Sequence, residues 1–299
     1  MVIQHIVLPG GGPNFPIIYG AIKKLEILKY WSKENIKSIH CTSGGTIVGF
    51  IILLYILGID WDDIDNYFIN RPWNNVYELS PEMLMNVYND KGLINLSHFE
   101  TTFKPLMRTV DLSLNTTLKE LYEKTNIEFY LYVTNYTDMK LDVLTHKNHP
   151  HLKILTAIHI SCALPPIIQP VFLDDNKMYI DGGIFANNPI KQALDTIDDK
   201  EHSNILGFTI NYHEPMFEPI TTQSNIFEYL SQLLSKLAWK CDSNENPNID
   251  NSIIVTFKTT IKPDFWNKVI NNNIFRAELI KSGEEYANIY LNYNTVETN

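Results

Sequence analysis

The 299-residue chain is 44% hydrophobic and 19% charged, which supplies a sizeable core and excludes a disordered chain. Its formal net charge is −10 and no run of Lys or Arg exceeds a pair, which argues against nucleic acid as a partner and against polybasic docking on anionic lipid. Cys41, Cys162 and Cys241 make no CxxC spacing and cannot all pair within one chain, so the expected setting is reducing and cytoplasmic, without a zinc site.

The segment Met1 to Leu8 has no basic stretch and runs straight into a glycine turn. It reads as a first strand, over Gln4 to Leu8, and not as a signal peptide. A helix over Pro16 to Trp31 follows, with apolar residues at Ile18, Ala21, Ile22, Leu25 and Leu28. Ile36 to His40 reads as a strand, and Thr46 to Ile59 as a buried helix. Its apolar run, Ile47 to Ile59, is about 13 residues long, short of the roughly 20 that a membrane span requires.

Asp60 to Thr109 interleaves eight aromatic residues, among them Trp61, Phe68, Trp73, Phe99 and Phe103, with polar ones. The pattern fits helices packed over a sheet, and it also fits a lid or acyl-chain groove. Glu128 to Thr134 alternates as a strand, with Lys140 to Leu144 its continuation or hairpin partner. Ile154 to Cys162 reads as a helix, another helix starts near Pro189, and Asn204 to Asn211 is a further strand. Ile226 to Lys240 has the apolar spacing of an amphipathic helix, for which core packing is the expectation. Phe275 to Tyr290 is the last helix. The strand–helix rhythm predicts an α/β fold, a mostly parallel sheet between helical layers.

Three glycine turns stand at strand ends. The first is Gly10-Gly11-Gly12, able to converge backbone N–H groups on an anion. It satisfies neither GxGxxG nor GxxxxGK[ST], so nucleotide binding is disfavoured. The second, Cys41-Thr42-Ser43-Gly44-Gly45, is a strand-to-helix elbow with Ser43 at its apex. There the Oγ is exposed, and the N–H of Gly44 is a candidate oxyanion donor. The third is Asp181-Gly182-Gly183, whose carboxylate is a candidate base if burial raises its pKa. Taken singly, the serine turn is also an ordinary helix cap, and the aspartate turn an Asx turn. His202 and His213 follow Asp181 in the order of a histidine triad, but in polar surroundings. His146, His149 and His151 have a spacing that hints at metal and a composition that fits a solvated loop.

With those residues in place the chain resembles the patatin-like phospholipase family over roughly residues 3 to 215. The shared blocks are Gly10-Gly11-Gly12, the Ser43 elbow, Lys91-Gly92-Leu93, Thr117 to Tyr122, Ala157 to Pro165 with Pro170, and Asp181-Gly182-Gly183 with Asn187-Asn188-Pro189. The resemblance implies a single patatin-like domain over 1–299. Its core would be an α/β/α sandwich, and about 216–299 would be a helical C-terminal extension. It implies a lipid or phospholipid acyl hydrolase with a Ser43–Asp181 dyad, and with Gly10, Gly11, Gly12 and Gly44 as the oxyanion hole. Cys41, Gly45, Gly182 and Gly183 would support the turns. No metal or cofactor is implied, and membrane-surface contact would be transient. Two positions depart from the family pattern. Cys41 takes the first glycine of the elbow, and Pro13-Asn14-Phe15 replaces the usual basic residue and glycine after the first turn. The second departure motivates an alternative, a patatin-fold protein that binds lipid without turnover.

Overall fold

Strand β1 (His5–Leu8) is central. It lies parallel to β2 (Ser38–Thr42) on one side and to β7 (Ile205–Tyr212) on the other. Beyond β7 the edge is β8 (Asn251–Phe257), also parallel. On the other side of β2 comes β3 (Glu128–Asn135), which makes antiparallel pairs with β4 (Lys140–Leu144) and β6 (Met178–Asp181). A two-residue strand, β5 (Val171–Phe172), completes the eight-stranded sheet. This computed structural model describes residues 2–77, 87–173, 176–197, 202–212, 219–242, 247–257 and 263–296.

The register around β3 decides where the chain ends meet. Leu131 and Tyr132 pair with both β2 and β4, so those two strands take opposite edges of β3. Val133 to Asn135 pair with both β4 and β6, so β6 occupies the edge that β2 has just left. Thr42 stands opposite Tyr132 and Asp181 opposite Val133. The last residues of β2 and β6 therefore meet on one edge of one strand.

Side chains alternate across the strands. Ile6, Leu8, Ile39, Cys41, Leu131 and Val133 join one large core with α1 (Phe15–Ile27), α2 (Gly44–Ile56) and α6 (Ile154–Ser161). The same core takes in α3 (Trp61–Asn70), α4 (Leu96–Thr109), α5 (Leu118–Thr125), and the C-terminal α9 (Pro263–Asn271) and α10 (Asn273–Val296). On the opposite face Val7 and Ile205 form a small second cluster with α7 (Ile190–Thr196). The result is the expected three-layer α/β sandwich. Helix α1 ends at Ile27, four residues before the predicted end. Lys29 takes a left-handed φ of 60°, and the Trp31 indole folds back to donate to the carbonyl of Ile22.

Two features differ from expectation. The C-terminal segment is not only helical, because Asn251–Phe257 adds an edge strand whose odd-numbered side chains are buried. The amphipathic helix α8 (Ile226–Asp242) packs against the turn at Gly182–Ile184, and three residues of its apolar stripe are not core: Leu230, Leu233 and Leu237 are 37%, 40% and 51% exposed. The three-residue turn is too small to cover a stripe five turns long. Among the described residues, no helix is long and apolar enough to cross a membrane.

Candidate active site

Ser43 sits between β2 and α2 with φ 52° and ψ −125°, a left-handed conformation that costs energy for a residue with a Cβ. The turn is tight because a Cβ on Gly45 would collide with the carbonyl oxygens of Leu8 and Pro9. Cys41, the departure in the elbow, turns its buried side chain away from the turn toward Gly49 of α2. A Cβ added to Gly49 would stand 2.5 Å from its Sγ. The sulfur thus uses space that a small residue leaves in the next helix, and the elbow keeps its shape.

The Ser43 hydroxyl donates to Asp181 Oδ2 at 2.6 Å, and the second carboxylate oxygen accepts the N–H of Gly183 at 2.7 Å. Burial raises the Asp181 pKa from 3.8 to about 6, while the hydrogen bonds from Ser43 and Gly183 pull it the other way. At neutral pH the group is mostly ionised, yet far more basic than a solvated carboxylate. The pair is within reach for proton transfer from hydroxyl to carboxylate.

The glycine turns do not all stand alike. The Gly10 N–H already donates to the carbonyl of Asn187 at 2.7 Å, so it is committed within the fold. Among the described residues, no acceptor takes the N–H groups of Gly11, Gly12 or Gly44. Gly44 lies against the first turn: a Cβ on it would stand 3.0 Å and 3.1 Å from O and N of Gly12. Two turns distant in sequence thus bring unpaired donors together beside Ser43.

Several supporting residues carry no motif of their own. Ser161 Oγ accepts the N–H of Ser43 at 3.1 Å, pairs with Thr46 Oγ1 at 2.9 Å and donates to the Tyr132 carbonyl at 2.9 Å. Cys162 Sγ donates to the Ser43 carbonyl at 3.1 Å, and burial holds its thiol pKa well above the usual value. Thr134 Oγ1 donates to the Asp181 carbonyl at 2.8 Å. Ser161 and Cys162 lie in a block that matched the family pattern, which was the one available signal for them.

Of the candidate histidines, His146, His151 and His202 stand away from this site. His202 precedes β7 and is exposed, at the end of the parallel sheet opposite Ser43; His213 lies outside the described residues. His146 stacks on Tyr122 at 3.7 Å, and His151 is exposed. Among the described residues, no cluster of His, Cys, Asp or Glu could hold a metal ion.

Beside Ser43 lies an apolar cavity of about 140 Å³, several times the roughly 10–15 Å³ that one water needs. Each helix in its wall presents one face. Phe15 and Tyr19 come from α1, Ile47 and Ile51 from α2, and Phe99 and Phe103 from α4. Phe68 of α3 and Trp73 close one side. The aromatic stretch Asp60 to Thr109 forms helices packed on other helices, α3 on α10 and α4 on α6, and part of the cavity wall, except for residues 78–86, which lie outside the described set.

Comparison with known proteins agrees with this fold. The family described as patatin-like phospholipase matches residues 6–194. A curated relative, the probable lipid hydrolase 463L of Invertebrate iridescent virus 6, is 24% identical over 97% of this chain and 90% of its own. Among solved structures, VipD from Legionella pneumophila has a TM-score of 0.50 at 16% identity, over 95% of this chain and 67% of VipD. ExoU from Pseudomonas aeruginosa, in its complex with SpcU, has a TM-score of 0.43 at 16% identity, over 97% of this chain. The chain spans about half the length of ExoU, 51%.

Proposed function

Because this chain belongs to the patatin-like phospholipase family, we propose that it is a lipid acyl hydrolase working through a Ser43–Asp181 dyad. The observation that carries the proposal is the 2.6 Å hydrogen bond from Ser43 Oγ to a buried carboxylate, at the mouth of an apolar cavity. As an ester carbonyl approaches, Ser43 Oγ attacks its carbon and Asp181 accepts the hydroxyl proton. The raised pKa of Asp181 favours that transfer. The oxyanion takes hydrogen bonds from the N–H groups of Gly11, Gly12 and Gly44, each worth about 10²–10³ in rate in comparable sites. Collapse of the tetrahedral intermediate passes the Asp181 proton to the leaving alcohol and leaves an acyl–serine ester. Water, deprotonated by Asp181, then releases the fatty acid.

The cavity supports this substrate class: among the described residues its lining is nearly all hydrocarbon, and the Arg276 guanidinium there is already engaged by backbone carbonyls. A neutral acyl chain fits there, and a charged head group stays outside. The name of the viral relative, a probable lipid hydrolase, supports the same class. Contact with a membrane surface is part of the proposal as a transient one; among the described residues no helix is long and apolar enough to cross a bilayer. The exposed position of His202, at the far end of the sheet, favours the dyad over a histidine triad.

A fluorophosphonate probe followed by peptide mapping tests the proposal. Labelling at Ser43 that disappears in Asp181→Asn is the expected result. An unlabelled Ser43, with detergent present, would leave a lipid-binding protein without turnover.

A further inference from the structure

The cavity beside Ser43 has a wall that lies outside the residues matched by the family, 6–194. Helix α9 contributes Trp266, Val269 and Ile270, at i, i+3 and i+4 and therefore on one face, and α10 contributes Ile280. Helix α9 also contacts the turn Gly12–Asn14, which begins with the unpaired Gly12 N–H, and the turn Trp73–Asn75 across the cavity. It therefore spans from the reacting end of the site to the aromatic side.

This wall is held firmly. Arg276, at the start of α10, is only 7% exposed, and its guanidinium donates to the carbonyls of Ile69 in the last turn of α3, of Arg71 just after it, and of Val269 and Ile270 in α9. One cation thus ties the C-terminal ends of two helices whose side chains face the cavity, where their carbonyls are otherwise unpaired. Helix α10 in turn lies against α1 with their backbones in contact: a Cβ on Gly20 would collide with the Ile280 carbonyl, and one on Gly283 with that of Ile17. Lys23 adds ion pairs of 2.6 Å to both Asp65 of α3 and Glu284 of α10. Phe265 meets Phe275 edge-on at 5.5 Å, fixing α9 on α10.

We infer that the α9–α10 wall determines acyl-chain specificity, with Trp266, Val269 and Ile270 setting how long a linear hydrocarbon chain can lie beside Ser43. This rests on the reading of Ser43 as the acyl-transfer residue. A rigid apolar wall discriminates by length because each methylene that it buries is worth a factor of about four in binding. It discriminates by shape because a filled volume has to be displaced. The side chains that tune the substrate therefore lie in sequence far beyond the last motif, the Asn187-Asn188-Pro189 block.

The test uses the full chain and a series of p-nitrophenyl esters from butanoyl to hexadecanoyl. Ile270→Trp should lower the ratio of kcat/KM for the longest to the shortest ester at least tenfold, and Ile270→Ala should move the preferred length upward. If Ile270→Trp does not fold, Val269→Phe makes the same measurement. Equal losses at every length, or an unshifted profile, would overturn the inference. A second readout separates it from the hydrolase reading: displacement of a fluorescent fatty acid from Ser43→Ala protein by free fatty acids of graded length, with and without Ile270→Trp. A shifted binding profile in a protein whose wild type hydrolyses nothing keeps the wall and discards the hydrolase. Hydrolysis with an unshifted profile does the reverse.

Discussion

The two faces of the sheet are built from different chemistry. Toward α1, α2 and α10 the strands present Ile6, Leu8, Ile39, Leu131 and Val133, all fully buried. Toward α7 the same strands present His5, Ser38, His40 and Tyr132, joined in a line by hydrogen bonds of 2.7, 2.9 and 3.1 Å. Burial pushes the His40 pKa down to about 3, so at neutral pH its imidazole holds its place in that line uncharged. Farther along this face Thr42 and Thr134 donate to the carbonyls of Ala186 and Asp181. The apolar face supplies the dry surroundings that lift the Asp181 pKa, whereas the polar face fixes the positions of the turns through directional bonds. Burial tolerates small displacements and hydrogen bonds do not, so the two faces should fail differently when altered.

The largest effect belongs to the group where both meet. Asp181→Asn should reduce ester hydrolysis about 10²–10⁴-fold, the span of a lost general base. In the wild type, kcat/KM should rise with pH through a midpoint of about 6, since the ionised carboxylate is the reactive form. Stability moves the opposite way. A folded-state pKa raised from 3.8 to about 6 means that the unfolded chain loses this proton first. Native stability therefore falls between about pH 4 and pH 6, by roughly 3 kcal/mol in total, and is level above. Asp181→Asn should remove that decline, so its Tm should exceed the wild-type value at pH 7 more than at pH 4. A pH-independent difference in Tm would mean that the carboxylate is not desolvated.

Next in size is a matched pair of substitutions, one on each face. Leu131→Ala leaves a void in the large core and should cost about 2–5 kcal/mol. Ser38→Ala strips a partner from both His5 and His40 and should cost about 1–3 kcal/mol. Urea unfolding at pH 7 gives both values. A neutral Ser38→Ala would mean that the polar line can rearrange, and the contrast between the faces would lose its energetic basis.

What was legible in the sequence follows the same division. Ser43, Gly45 and Asp181 could be found because their demands are local: a strained elbow, a close backbone approach, a carboxylate at a strand end. The parallel sheet was legible because Ile and Val runs alternate with helical spacing. Ser161, Thr46 and Thr134 were not singled out, because a serine or threonine that bonds a distant carbonyl looks like any other. A glycine triplet does not reveal which N–H its own fold has claimed, and the N–H of Gly10 is claimed by the Asn187 carbonyl. Strand β8 was legible in composition, since Ile253 to Phe257 is rich in β-branched residues and follows the polar loop Asp242 to Asp250, but its parallel pairing with β7 leaves no local mark. The wall from α9 and α10 was invisible because it depends on contacts across some two hundred residues of chain, such as those of Arg276 with Ile69 and Arg71.

Helix α8 gives the smallest expected effect and the sharpest check on reading burial from periodicity. Its apolar spacing equals that of helices that are buried, yet spacing reports only that a stripe exists, not that anything lies over it. Leu233 is 40% exposed on this stripe, between Leu230 and Leu237, which are exposed as well. Removing hydrocarbon from water-exposed positions forfeits little burial, so Leu233→Ser should change stability by no more than about 0.5 kcal/mol. A buried leucine cut back in the same way would cost several times that, as Leu131→Ala should on the apolar face. A cost above about 2 kcal/mol for Leu233→Ser would mean that this stripe is covered in solution, and the packing expected from its sequence would hold after all.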